Sequence, residues 1–156
     1  AMKNLGVWQR LVAAAADRPL PGPVRALAET RFHSTLAHGD CAPWNVKVAH
    51  GTWTLLDWER GELAGVPGWD WFHFVMQPAV LVRRESVAAL LARFERLLAA
   101  EDFVRYARHA GMAGSERALA LAYLCYCTRV TRQTEGLETV AAFERAAAER
   151  WFSATG

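Results

Sequence analysis

The chain has 156 residues, 53% hydrophobic and 22% charged, the size and balance of one ordinary domain that buries a core, which excludes a disordered or fibrous chain. A net charge of +2 with scattered arginines indicates no nucleic-acid surface. No run of about 18 uncharged apolar residues occurs and residues 1–8 carry no secretory pattern, so no membrane partner and a cytoplasmic location are expected.

Val7, Leu11 and Val12 have helical spacing, and Arg18-Pro19-Leu20-Pro21-Gly22-Pro23 ends that segment because proline cannot continue a helix. A short helix is predicted over 23–30, with Pro23 in its first turn, where a missing N–H costs nothing. Residues 45–49 and 52–57 read as paired strands joined by His50-Gly51, a dipeptide suited to a turn with positive φ. From there helices are predicted to the end. Their apolar stripes are Val87, Leu90, Leu91, Phe94, Leu97 and Leu98; then Leu119, Ala122, Tyr123, Tyr126 and Val130; then Val140, Phe143, Ala147 and Trp151, with breaks at 111–114 and 135–136. The sum is a single domain over 1–156, α+β and mostly helical, with one small hairpin. Three cysteines, two of them Cys125 and Cys127, form neither a disulfide framework nor a paired zinc motif.

The polar residues of interest cluster at that hairpin. His38-Gly39-Asp40-Cys41-Ala42-Pro43-Trp44-Asn45 places an aspartate and an asparagine just before the first strand, and Asp57 ends the returning strand. The hairpin turns all three toward one end. Asn45 and Asp57 supply the oxygen ligands that Mg²⁺ prefers, and that ion usually arrives with phosphates. Asp40 is then free to accept a proton, which is the division of labour that phosphoryl transfer requires. The plainer reading makes Asp40 and Asn45 turn formers around Pro43, which leaves Asp57 unexplained.

The segment His38 to Asn45, followed by Leu55-Leu56-Asp57-Trp58-Glu59 and by Gly65 to Phe74 with Asp70-Trp71-Phe72, resembles the aminoglycoside phosphotransferase and choline kinase family in order and spacing. The resemblance covers residues 36–77 by motif. It implies the C-terminal lobe of a protein-kinase-like fold, with the catalytic loop on the small hairpin. It further implies Asp40 as catalytic base, Asn45 and Asp57 as metal ligands, and His38 and Asp70 as structural supports of the loop. ATP would be the co-substrate, Mg²⁺ the metal and a small hydroxyl compound the acceptor. Asp70 is also placed to cap a helix over 71–76.

A kinase of this kind also uses a second lobe, whose glycine-rich loop covers the phosphates and whose lysine holds them. No G-x-G-x-x-G occurs, and Lys3 and Lys47 are the only lysines. The expectation is therefore a catalytic lobe without its N-terminal nucleotide-binding lobe, little active alone, with that lobe or a partner chain as its complement and a homodimer as a further possibility. The alternative is a non-catalytic interaction module that keeps the lobe and has lost the chemistry.

Overall fold

A computed structural model of the chain describes residues 1–132 and 135–153. Helices α1 (Gly6–Ala13) and α2 (Gly22–Ala26) open the domain, and a 3₁₀ turn, Leu27–Glu29, extends α2. Four short strands follow: β1 (Thr35–Ala37), β2 (Val46–Ala49), β3 (Thr52–Leu55) and β4 (Glu62–Gly65). Helices α3 (Trp69–Gln77), α4 (Val87–Ala99), α5 (Glu101–His109), α6 (Glu116–Tyr126) and α7 (Leu137–Phe152) complete it. Among the described residues no helix is long and apolar enough to cross a membrane.

The β2–β3 hairpin pairs Val46 with Leu55 and Ala49 with Thr52, and His50 and Gly51 turn it with φ of 50° and 75°. The chain does not then become wholly helical, as its sequence suggests. Glu62–Gly65 returns to pair antiparallel with β1, Thr35 opposite Gly65 and Ala37 opposite Glu62. There are thus two two-stranded ladders rather than one hairpin. Segment 38–45 runs from the end of β1 to the start of β2, and segment 56–61 runs from the end of β3 to the start of β4. These two stretches are therefore brought together by ladders on both sides. The second ladder depends on Gly65, since a Cβ there would lie 2.2 Å from the Ala37 Cβ.

The helices supply the core. Residues 119–125 of α6 are buried on every side, which is the signature of a central helix. Phe72, Phe94, Phe103 and Phe143 meet there with ring centroids 4.9–5.8 Å apart, and each fully buried ring contributes about 1.5–3 kcal/mol. Helix α1 packs on its own domain through Val7, Trp8 and Leu11. Ser86 caps α4, its hydroxyl accepting the Ala89 N–H at 3.3 Å. The sequence reading misses α5, whose polar residues leave only Phe103 and Ala107 fully buried.

Among the described residues, a buried carboxylate occurs in one place. Glu144 is 1% exposed and accepts from Arg129 at 3.0 Å, Arg18 at 2.9 Å and the Thr128 hydroxyl at 2.6 Å. A buried carboxylate is tolerated only with partners of this kind. On the strand side, by contrast, apolar groups are open to solvent: Leu63 is 90% exposed, Trp53 69% and Leu36 60%.

Candidate functional site

His38 follows β1 and is buried. Its Nε2 lies 2.7 Å from the Leu56 carbonyl, and the Asp40 N–H points to its Nδ1 at 3.3 Å. A carbonyl can only accept and an amide only donate, so the ring is the Nε2–H tautomer and both nitrogens are used. The Trp58 ring packs against it at 4.6 Å. His38 therefore ties segment 38–45 to segment 56–61.

Gly39 adopts φ 77°, and a Cβ there would meet the Arg60 carbonyl oxygen at 2.4 Å. Only glycine fits that turn. The Asp70 carboxylate accepts the N–H of His38 at 2.8 Å and that of Gly39 at 3.0 Å. Helix α3 starts earlier than the sequence suggests, with Gly68 as its N-cap and Asp70 inside its first turn. Asp70 is therefore not the cap residue, and its carboxylate serves the loop instead.

The loop so held presents Asp40. Its Oδ1 lies 2.9 Å from His73 Nε2, and His73 Nδ1 lies 2.9 Å from the Tyr123 hydroxyl. The hydrogen bond from His73 holds the Asp40 carboxyl below its ordinary value, against the opposing pull of burial. Tyr123 is pushed well above the ordinary phenol value by burial, and the neighbouring Cys127 thiol rises to about 12 for the same reason. Both stay protonated at neutral pH.

Asn45 closes the loop from the other end. Its Nδ2 donates to the Asp40 carbonyl at 2.9 Å and lies 3.5 Å from Asp40 Oδ2, while its own carbonyl accepts the Leu56 N–H at 2.8 Å. Asp57 comes next in the chain, exposed, with φ 63°. A non-glycine residue in that region is uncommon and costs about 1–2 kcal/mol, a kind of strain that concentrates at functional sites. Leu56 is thus bonded to Asn45 through its N–H and to His38 through its carbonyl, which fixes the backbone from which Asp57 projects.

For a metal, the residues offer one carboxylate and one amide oxygen, hard donors suited to Mg²⁺ and too few to hold it without ligands from phosphate and water. Among the described residues no group of three His, Cys, Asp or Glu side chains could hold an ion.

A cavity of about 370 Å³ opens beside the loop, lined among others by Gly39, Asp70, His73, Trp69, Tyr126 and Arg10. Arg10 is paired with Glu62 and donates to the Tyr126 hydroxyl at 3.1 Å. Trp69 packs tilted against Tyr126 at 5.0 Å, and its buried Nε1–H has no hydrogen-bond partner among the described residues. Of the five tryptophans that crowd this part of the sequence, Trp69 is buried; Trp44, Trp53, Trp58 and Trp71 are partly open to solvent.

The sequence reading names Asp40, Asn45, His38 and Asp70, and one hydrogen-bonded network contains all four, with Asp57 at its edge. It misses His73 and Tyr123. The available signal for His73 was its place one helical turn after Asp70, which puts both on one face of α3. No family model, curated protein or solved structure matches the chain.

Proposed function

We propose that the chain is the catalytic and acceptor-binding lobe of a small-molecule kinase of the aminoglycoside phosphotransferase and choline kinase type, transferring the γ-phosphoryl group of ATP to a substrate hydroxyl. The observation that carries this reading is the double hydrogen bond from the His38 and Gly39 amides to Asp70, which holds Asp40 at a fixed place beside a cavity. In this reading the hydroxyl oxygen forms its bond to the γ-phosphorus, the bond to the β–γ bridging oxygen breaks, and the hydroxyl proton passes to Asp40. A carboxylate held below its ordinary value is a weak base, which suits a loose transition state in which catalysis is mostly positioning and charge neutralisation. His73 is not the base, because both ring nitrogens are engaged. Asn45 and Asp57 would hold Mg²⁺, whose chemistry is to neutralise charge on the phosphate oxygens.

The acceptor would lie in the cavity beside Asp70 and His73. Its arginines stand beside acids of the same wall, Arg10 with Glu62 and Arg60 with Glu59, which favours a hydroxyl compound over a polycation. The loop and lysine that cover ATP would come from a second lobe or a partner chain. The exposed Leu36, Trp53 and Leu63 offer apolar surface for it. The same surface would serve a non-catalytic interaction module, and nucleotide separates the two readings. Titrating the ¹⁵N-labelled chain with ATP and Mn²⁺, a paramagnetic stand-in for Mg²⁺, should broaden the amides of Asp40, Asn45, Leu56 and Asp57 first, and Asp57→Ala should abolish the effect. Broadening confined to other surfaces, or none, would refute the kinase reading and leave the module.

A further inference from the structure

Asp40 has two carboxylate oxygens, and the structure treats them differently. Oδ1 is taken by His73 at 2.9 Å, whereas the nearest partner of Oδ2 is Asn45 Nδ2 at 3.5 Å, a marginal contact. His73 itself is buried and bonded to Asp40 of the loop and Tyr123 of α6; Asp70, one turn earlier on its own helix, acts on Tyr123, and Arg60 and His38 act on Asp40 from segment 56–61 and from the loop. The Asp40 carboxylate oxygen accepts, so Nε2 carries the proton and donates to Oδ1, and in the neutral ring Nδ1 then accepts the Tyr123 hydroxyl.

We propose that His73 is a positioning residue for Asp40: held by Tyr123 as the neutral Nε2–H tautomer, it occupies Oδ1 and leaves Oδ2 as the oxygen that receives the acceptor proton. The significance of Oδ2 rests on the proposed kinase activity; the row Tyr123, His73, Asp40 does not. A fixed ring here stops the carboxylate from rotating, so that the same oxygen, Oδ2, always stands away from His73.

The test is made on the whole chain and needs no substrate. Imidazole ¹⁵N spectra should show His73 with a pyridine-type Nδ1 and a pyrrole-type Nε2 at neutral pH, and the hydrogen-bonded Nε2 proton should be lost in Asp40→Ala, which has no side-chain acceptor. Tyr123→Phe should release the tautomer to a mixture. A doubly protonated ring, an Nδ1–H tautomer, or an unchanged tautomer in Tyr123→Phe would overturn the proposal. Failure here leaves the nucleotide titration untouched, so the two readings fall separately.

Discussion

Asp70, in the first turn of α3, accepts the backbone N–H of His38 at 2.8 Å across 32 residues of chain. It takes that of Gly39 as well. A helix is thereby latched to the loop that presents Asp40, and the latch is charge-assisted at both bonds. Asp70→Ala should destabilise the domain by about 2–3 kcal/mol, since two amides lose a charged acceptor. Asp70→Asn should cost less. Urea denaturation of the three chains gives the comparison, and equal midpoints would mean that water replaces the carboxylate without loss.

In any form of the protein that turns over, Asp40→Asn should lower kcat by about 10²–10⁴-fold, the usual worth of a positioned base, with little change in nucleotide KM. Asp57→Ala should raise nucleotide KM as well, because a metal ligand is lost. Steady-state kinetics in which Asp40→Asn keeps its kcat would remove Asp40 from the role of base.

The close approach of β1 and β4 at Gly65 and Ala37 predicts a compensating pair. Gly65→Ala places a methyl 2.2 Å from the Ala37 Cβ and should cost about 1–3 kcal/mol as an overpacking change. Ala37→Gly made in the same chain should return most of it. A double mutant no more stable than Gly65→Ala, by thermal denaturation, would show that the ladder yields in some other way.

Glu144 is the carboxylate on which Arg129 depends, and both side chains are almost fully buried. Glu144→Ala leaves a buried guanidinium without its counter-charge and should destabilise by about 3–5 kcal/mol. Glu144→Ala with Arg129→Leu should be more stable than Glu144→Ala alone. Chemical denaturation of the single and double variants checks both statements.

Glu85 joins the turn after α3 to α4 by accepting from Arg83 at 2.6 Å and Arg93 at 2.9 Å. The hydrogen bond from Arg93 is the main cause that depresses its carboxyl from 4.5 to about 2. A depressed folded value means that the bond stabilises the fold fully above 4.5 and that this contribution disappears as pH falls towards 2. The stability difference between the native chain and Glu85→Gln should therefore be level from pH 7 to 5 and shrink below that. A difference that grows on acidification would contradict the assignment.

The elements readable in the sequence are those whose information is local. The β2–β3 hairpin is visible because His50-Gly51 and the flanking alternation lie within ten residues, and the long helices are visible because their apolar stripes repeat within each segment. Asp40, Asn45 and Asp57 could be nominated from residue type and spacing alone. The β1–β4 ladder could not, since three residues are paired with four others after an intervening hairpin, and strands so short carry no pattern of their own. His73 lies 33 residues from Asp40 and 50 from Tyr123, so in sequence it is one more residue on the inner face of α3. Its role exists only where α3, α6 and the loop meet, because a hydrogen bond depends on distances of about 3 Å that tertiary packing alone sets. Local chemistry thus determined which residues could act here, and packing between elements decided that His73 holds Oδ1 of Asp40 while Asn45 stands by Oδ2.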